Sequence, residues 1–102
     1  MTVHRKPKSH ARSAALREVL RLFVLFGHPL RVVIFQRLAR TPMSAGELAH
    51  TLPVTRTAVV QHLKLLESAH LLQSFARGRQ RIYQVQPRGL APLSRWLTQH
   101  MR

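Results

Sequence analysis

Residues 44–70 read SAGELAHTLPVTRTAVVQHLKLLESAH. Ser44 and Glu47 stand three apart, the spacing of a capping box in which each side chain satisfies an orphan backbone N–H at a helix start. A short helix follows. Thr51, Leu52 and Pro53 break it, and Thr55 is placed to cap a longer helix that runs to about His70. A short helix, a tight turn and a longer helix make helix-turn-helix spacing.

The longer helix divides when its residues are placed about 100° apart from Arg56 at zero. Ala58, Val59, Leu63, Leu65 and Leu66 fall between roughly 180° and 340°, which is the side for a core. Arg56, Thr57, Val60, Gln61, Lys64, Glu67 and Ser68 take the arc from about 0° to 140°. His62, at about 240°, falls among the leucines, so it is expected to be a partly buried, hydrogen-bonded histidine. The outward residues near the amino end suit base reading in a DNA groove. Arg56 can pair with guanine and Gln61 with adenine, and Val60 can lie against a thymine methyl. Thr57 and Lys64 complete the candidate set. A solvated face would tolerate the same residues.

Charge points the same way. The chain has 102 residues, with 17 Lys and Arg against three acids, a net charge of +14, in a sequence that is 45% hydrophobic. That balance predicts a folded basic protein of one domain whose partner is a polyanion, first of all double-stranded DNA. The longest apolar run, LFVLF at 22–26, is far too short to span a bilayer, so no membrane partner is expected. The basic start of the chain is followed by Arg17, Glu18 and Arg21 and lacks the apolar core of a secretory signal, so a cytosolic location is expected. Cysteine, asparagine and aspartate are absent and the only acids are Glu18, Glu47 and Glu67, which argues against an enzyme. No phosphate-binding glycine loop and no nucleophile triad is present.

Outward from the central motif, residues 1–12 read as a flexible basic arm and residues 13–102 as one DNA-binding and dimerisation domain. From Ala14 the pattern is helical, with Leu16, Val19, Leu20 and Phe23 at i, i+3, i+4 and i+7, widened by Leu22, Leu25 and Phe26. So broad an apolar arc in a small domain predicts burial on two sides, the second by another subunit. Gly27 ends that helix, and Pro29 opens the next, with Leu30, Val33, Ile34 and Leu38 on one face. After the central motif, LLQSF (71–75) and RIYQV (81–85) predict a hairpin turned at ARGRQ. Arg77, Arg79 and Arg81 alternate across its tip and, in an extended segment, would project to one side as a phosphate clamp. A hairpin tip kept soluble by charge is the plainer alternative. Leu90, Leu93, Trp96, Leu97 and Met101 predict a last amphipathic helix with Pro92 in its first turn. The expected dimer contacts are Leu16, Leu22, Leu25, Leu93, Trp96 and Leu97.

The order of these elements and four phrases resemble the ArsR/SmtB-type winged helix-turn-helix repressors of bacteria. GHPLRVVIFQRL (27–38) resembles that family's Gly-Asp-Pro-x-Arg opening of the second helix, and GELA (46–49) is typical of the third. VVQHLKLLESAHLL (59–72) resembles the recognition helix, and RGRQRIYQV (77–85) resembles the wing. The match runs from about Leu20 to Leu97. It implies a mainly α fold with a small β-hairpin wing, and a homodimer joined through first and last helices. Its two recognition helices would enter successive major grooves of a near-palindromic operator. The DNA-facing positions it implies are Arg56, Thr57, Val60, Gln61 and Lys64, with the wing arginines on the backbone.

Three departures stand out. His28 replaces the family's aspartate, which removes a strong N-cap acceptor, and Val60 replaces a usual serine. The paired cysteines and the Asp-x-His pattern of the metal-sensing branches are missing, with only His100 in the last helix. The seven histidines are scattered, and none pair at i, i+3 or i+4 within one helix. No metal and no cofactor is therefore expected, and the sequence names no effector. A nucleoid-coating protein that binds duplex without choosing a sequence fits the charge equally well, and a winged helix serving protein or RNA partners is a third reading.

Overall fold

The computed structural model describes the backbone of residues 6–101 and the side chains of 12–101. In order the elements are α1 (Lys6–Phe26), α2 (Pro29–Arg40), β1 (Met43–Ser44), α3 (Ala45–His50), α4 (Arg56–Ser68), β2 (Leu72–Arg77), β3 (Gln80–Val85), a 3-10 turn (Pro87–Leu90) and α5 (Ala91–His100). This is the mainly α, winged helix-turn-helix architecture expected.

Local chemistry sets most of the boundaries. Both halves of the Ser44/Glu47 capping box form: Glu47 N donates to Ser44 Oγ at 3.1 Å and Ser44 N donates to Glu47 Oε1 at 2.8 Å. Thr55 caps α4 by accepting from Ala58 N at 3.1 Å. His28 was expected to leave α2 without a strong cap, but its ring Nδ1 accepts from Leu30 N at 3.2 Å. An imidazole nitrogen is an acceptor when neutral, so the lost aspartate is replaced in function.

The end of α4 has the bonding of a Schellman motif. Leu71 N donates to Leu66 O at 3.0 Å and His70 N to Glu67 O at 2.9 Å, with His70 at φ 62 where glycine is usual. Gly89 packs on this turn so closely that an added Cβ would lie 2.2 Å from His70 O. A side chain at position 89 would force the turn and the start of α5 apart.

The core gathers Leu22 and Leu25 of α1, Ile34 and Leu38 of α2, Leu48 of α3, Val59, Leu63 and Leu66 of α4, and Leu71, Leu72 and Tyr83 of the sheet region. Leu65 was expected on the core side but is 45% exposed. At about 180° it sits on the margin of the apolar arc, where the neighbouring elements do not reach.

Two elements differ from the sequence reading. The expected arm of residues 1–12 is helical from Lys6 onward, and residues 1–5 lie outside the described residues. The sheet has a third strand: β1 pairs antiparallel with β3, Met43 opposite Tyr83 and Ser44 opposite Ile82, in the order β1-β3-β2. A two-residue strand is too short to carry an alternating pattern, so periodicity could not announce it.

Candidate nucleic-acid interface

The face of α4 turned from the core carries Arg56, Thr57, Gln61 and Lys64, all exposed. Val60 was expected at the centre of this face but is half-buried, packed against the core. An apolar side chain gains by lying on apolar neighbours even where the residues around it on the helix are polar. The Arg56 guanidinium lies toward the start of α3, its Nη1 3.7 Å from where a Cβ on Gly46 would stand. The exposed polar residues therefore span the amino-terminal end of α4 and its approach from α3.

His62 lies inward as the helical wheel predicted, and it is half-buried. Arg31 Nε donates to His62 Nδ1 at 3.2 Å, and the His28 and His62 rings lie 4.6 Å apart between centroids. Burial holds His62 below its ordinary 6.5, and the neighbouring His28 and Arg31 charges add to that lowering. A neutral ring accepting at Nδ1 suits this site, and it ties the middle of α4 to the first turn of α2. Arg31 stands at the arginine of the Gly-Asp-Pro-x-Arg phrase, but its pairing with His62 had no signal in the sequence, because the two are 31 residues apart.

The wing departs from the expected clamp. Arg77 pairs with Gln80 and Ala76 with Arg81 across the hairpin, so only Gly78 and Arg79 form the turn. Gly78, at φ 61, takes the position where a II′-type turn needs a positive φ. Directly opposed residues share a face, and adjacent ones do not. Arg77 and Arg81 therefore project to opposite faces, with Arg79 at the tip, rather than to one side. The expectation treated 77–81 as a single extended segment, and the two-residue turn reverses the chain within it.

The faces have different surroundings. Arg77 lies 5.8 Å from the Phe75 ring centroid, a cation–π distance. Arg81 Nη1 donates to Ser74 Oγ at 3.0 Å, and Ser74 Oγ donates to Glu67 Oε2 at 2.7 Å. Buried Tyr83 is on the same face. Burial pushes its hydroxyl above the ordinary 10.0, the Glu67 charge adds to this, and Arg81 opposes it. No acid lies between Leu71 and Arg102 in the sequence, yet Glu67 of α4 reaches the wing from outside that range.

The expected subunit contacts also divide. Leu22 and Leu25 are 4% and 6% exposed within the single chain and belong to its core, not to a free surface. Leu16 and Leu97 are exposed, Leu93 is half-buried against the core, and Trp96 makes an edge-on contact with Phe23 at 5.6 Å. Leu20, Phe23, Val24 and Met101, also exposed, were not named as contacts. On a wheel from Leu16 the exposed α1 residues fall between roughly 340° and 80°, and Val19, Leu22 and Leu25 between about 180° and 300°. One broad apolar arc is thus two stripes, one used and one open.

Among the described residues no three metal-ligating side chains converge, and no helix is long and apolar enough to cross a membrane.

A helix-turn-helix domain family model matches residues 26–74, which include α2, α3, α4 and the start of the wing. An ArsR-like transcriptional regulator from Rhodococcus sp. RHA1 is 30% identical, with a TM-score of 0.76, over 84% of this chain and 81% of that one. The chain belongs to the ArsR family of winged helix-turn-helix regulators. It is similar to the HTH-type transcriptional regulator Rv2034 of Mycobacterium tuberculosis, 51% identical over 63 residues, which is 62% of this chain. That match covers 59% of the relative's length. A homodimeric winged helix-turn-helix DNA-binding domain, Mb0332 from Mycobacterium bovis, shares the fold at 20% identity, with a TM-score of 0.70, over 100% of this chain and 93% of that one. The relatives are regulators by name, in keeping with the expected lack of catalysis.

Proposed function

We propose that the protein is a sequence-specific, double-stranded DNA-binding transcriptional repressor of the cytosol, acting as a homodimer on a near-palindromic operator. The observation that carries this reading is the division of α4. Val59, Leu63 and Leu66 are wholly buried, and Arg56, Thr57, Gln61 and Lys64 stand exposed near the helix start, the part of a recognition helix that meets base edges. Val60 contributes through its open half. Arg77 and Arg79 supply phosphate contacts that fix orientation without carrying sequence information. Repression follows when the bound dimer occupies a promoter against polymerase.

The open stripe of α1, with exposed Leu97 on α5 and Met101 just past its end, supports pairing with a second copy. The Mycobacterium bovis domain of the same fold is itself homodimeric.

Selection from randomised duplexes tests the reading. A compact motif is expected, its two half-sites about one or two helical turns apart at roughly 34 Å per turn. Gln61→Ala should then relax preference at particular bases. A selection that returns no motif would leave a nucleoid-coating protein as the better account, since the +14 charge serves that function equally. Stronger binding to single-stranded RNA at matched salt would point to the RNA alternative.

A further inference from the structure

The wing tip is poorly braced by packing. β1 pairs with β3 only at Ile82 and Tyr83, and every residue from Phe75 to Arg81 is exposed. A two-stranded ribbon beyond its last buried pair is free to twist, so its direction relative to α4 has to be set by something other than the core.

Ser74 is the last half-buried position of β2 before the exposed tip, and its hydroxyl both donates and accepts. It gives its one proton to Glu67 Oε2 and accepts from Arg81 Nη1. A hydroxyl has one donor and two acceptor sites, so both bonds coexist. Both are charge-assisted, with a carboxylate at one end and a guanidinium at the other. Glu67 stands in the last turn of α4, where the helix dipole disfavours a carboxylate. Its position costs the helix something, and its partner lies on the wing.

We propose that Glu67 and Ser74 are positioning residues that hold the wing at a fixed angle to the recognition helix. Arg81 is the third member of this strut rather than a phosphate contact. Arg77 and Arg79 are then the tip cations left for DNA. The inference rests on the reading that the wing meets the DNA backbone, and its consequence for binding is that Arg79 reaches phosphate only while the strut is intact.

The test combines two readouts on Ser74→Ala, Ser74→Thr, Arg79→Ala and the Ser74→Ala/Arg79→Ala pair. In the free protein, backbone order parameters at Gly78 and Arg79 should be near the rigid value of about 0.85 in the parent and fall toward about 0.6 in Ser74→Ala. Ser74→Thr keeps the hydroxyl and should restore them. Unchanged tip order in Ser74→Ala overturns the strut whatever happens on DNA. On operator DNA, Arg79→Ala should weaken the parent by about tenfold and Ser74→Ala by less than about threefold, an interaction that double-mutant cycles detect. An Arg79→Ala cost of about tenfold in both backgrounds also overturns the strut. If Arg79→Ala costs nothing in the parent while tip order still depends on Ser74, the wing-to-DNA reading fails and the strut stands.

Discussion

The helices α1 and α4 are comparably rich in leucine and valine, but they stand differently in the fold. In α4 the apolar side chains that face inward, Val59, Leu63 and Leu66, are each 0% exposed. In α1 only one of two apolar stripes is covered, and Val24 on the other is 72% exposed. Burying such a side chain contributes about 1.5–3 kcal/mol. The recognition helix is thus finished by its own chain, and the outer helix is left unfinished. Function follows this split if reading belongs to each monomer and pairing belongs to the open stripe.

The largest expected effect tests the open stripe. Val24→Asp places a charge where the second copy would close over apolar surface, and the variant should sediment as a monomer. Losing the linked second half-site should lower apparent operator affinity by about 10²–10⁴-fold, with helical content kept. A variant that stays dimeric would show that the second copy docks elsewhere and would remove the meaning given to the contrast.

The finished helix should respond in another currency. Leu63→Ala opens a cavity in a fully buried site and should cost about 2–5 kcal/mol of unfolding free energy, measured in urea. That loss should not vary with protein concentration. Leu20→Ala, on the open stripe, should instead destabilise only at concentrations where the protein pairs. If both variants showed the same concentration dependence, the two helices would not differ as described.

Much of this was legible in the sequence because it is local or periodic. The Ser44/Glu47 box, the Thr55 cap, the proline starts and the inward turn of His62 follow from spacing of a few residues. The readings that failed depended on partners distant in sequence or on a change of chain direction. Leu22 and Leu25 were read with Leu16 because a wheel shows an arc but not how many neighbours divide it. Arg81 was read without a link to Glu67 because the two meet only through Ser74, and the carboxylate comes from the preceding helix. The wing arginines were assigned one face because a segment rich in Arg and Gln does not reveal that only Gly78 and Arg79 form the turn. Val60 was placed by angle alone, although packing against a neighbouring core also decides burial.

A smaller effect sharpens the account of how α4 ends. His70 holds φ 62 without being glycine, and left-handed backbone costs an L-residue about 1–2 kcal/mol. His70→Gly should raise stability by about 1 kcal/mol, less the entropy glycine adds to the unfolded chain. A fall in the urea midpoint would mean that the exposed imidazole makes a contribution of its own. Because the turn carries the chain from recognition helix to wing, the variant also tests whether the finished region depends on that residue or only on its backbone shape.

The last expectation concerns pH and the junction behind α4. His28 Nδ1 accepts from a backbone amide and His62 Nδ1 accepts from Arg31, so each ring serves the structure in its neutral form. The charged groups acting on His62 are His28 and Arg31, both cationic when charged, and with burial they hold its folded value below 6.5. The unfolded chain therefore binds the proton more readily than the folded one. Stability from this ring is complete above 6.5 and is lost as pH falls through 6.5 toward the lower folded value. Urea midpoints and operator affinity should both decline between about pH 7.5 and 5.5. The chain has seven histidines, so a variant has to isolate the pair. His28→Asp keeps an N-cap acceptor and substitutes an attractive charge for a repulsive one, which should raise the His62 value and shrink the decline. If the decline is unaltered in His28→Asp, the junction is not its source. The acid sensitivity would then belong to surfaces away from the recognition helix.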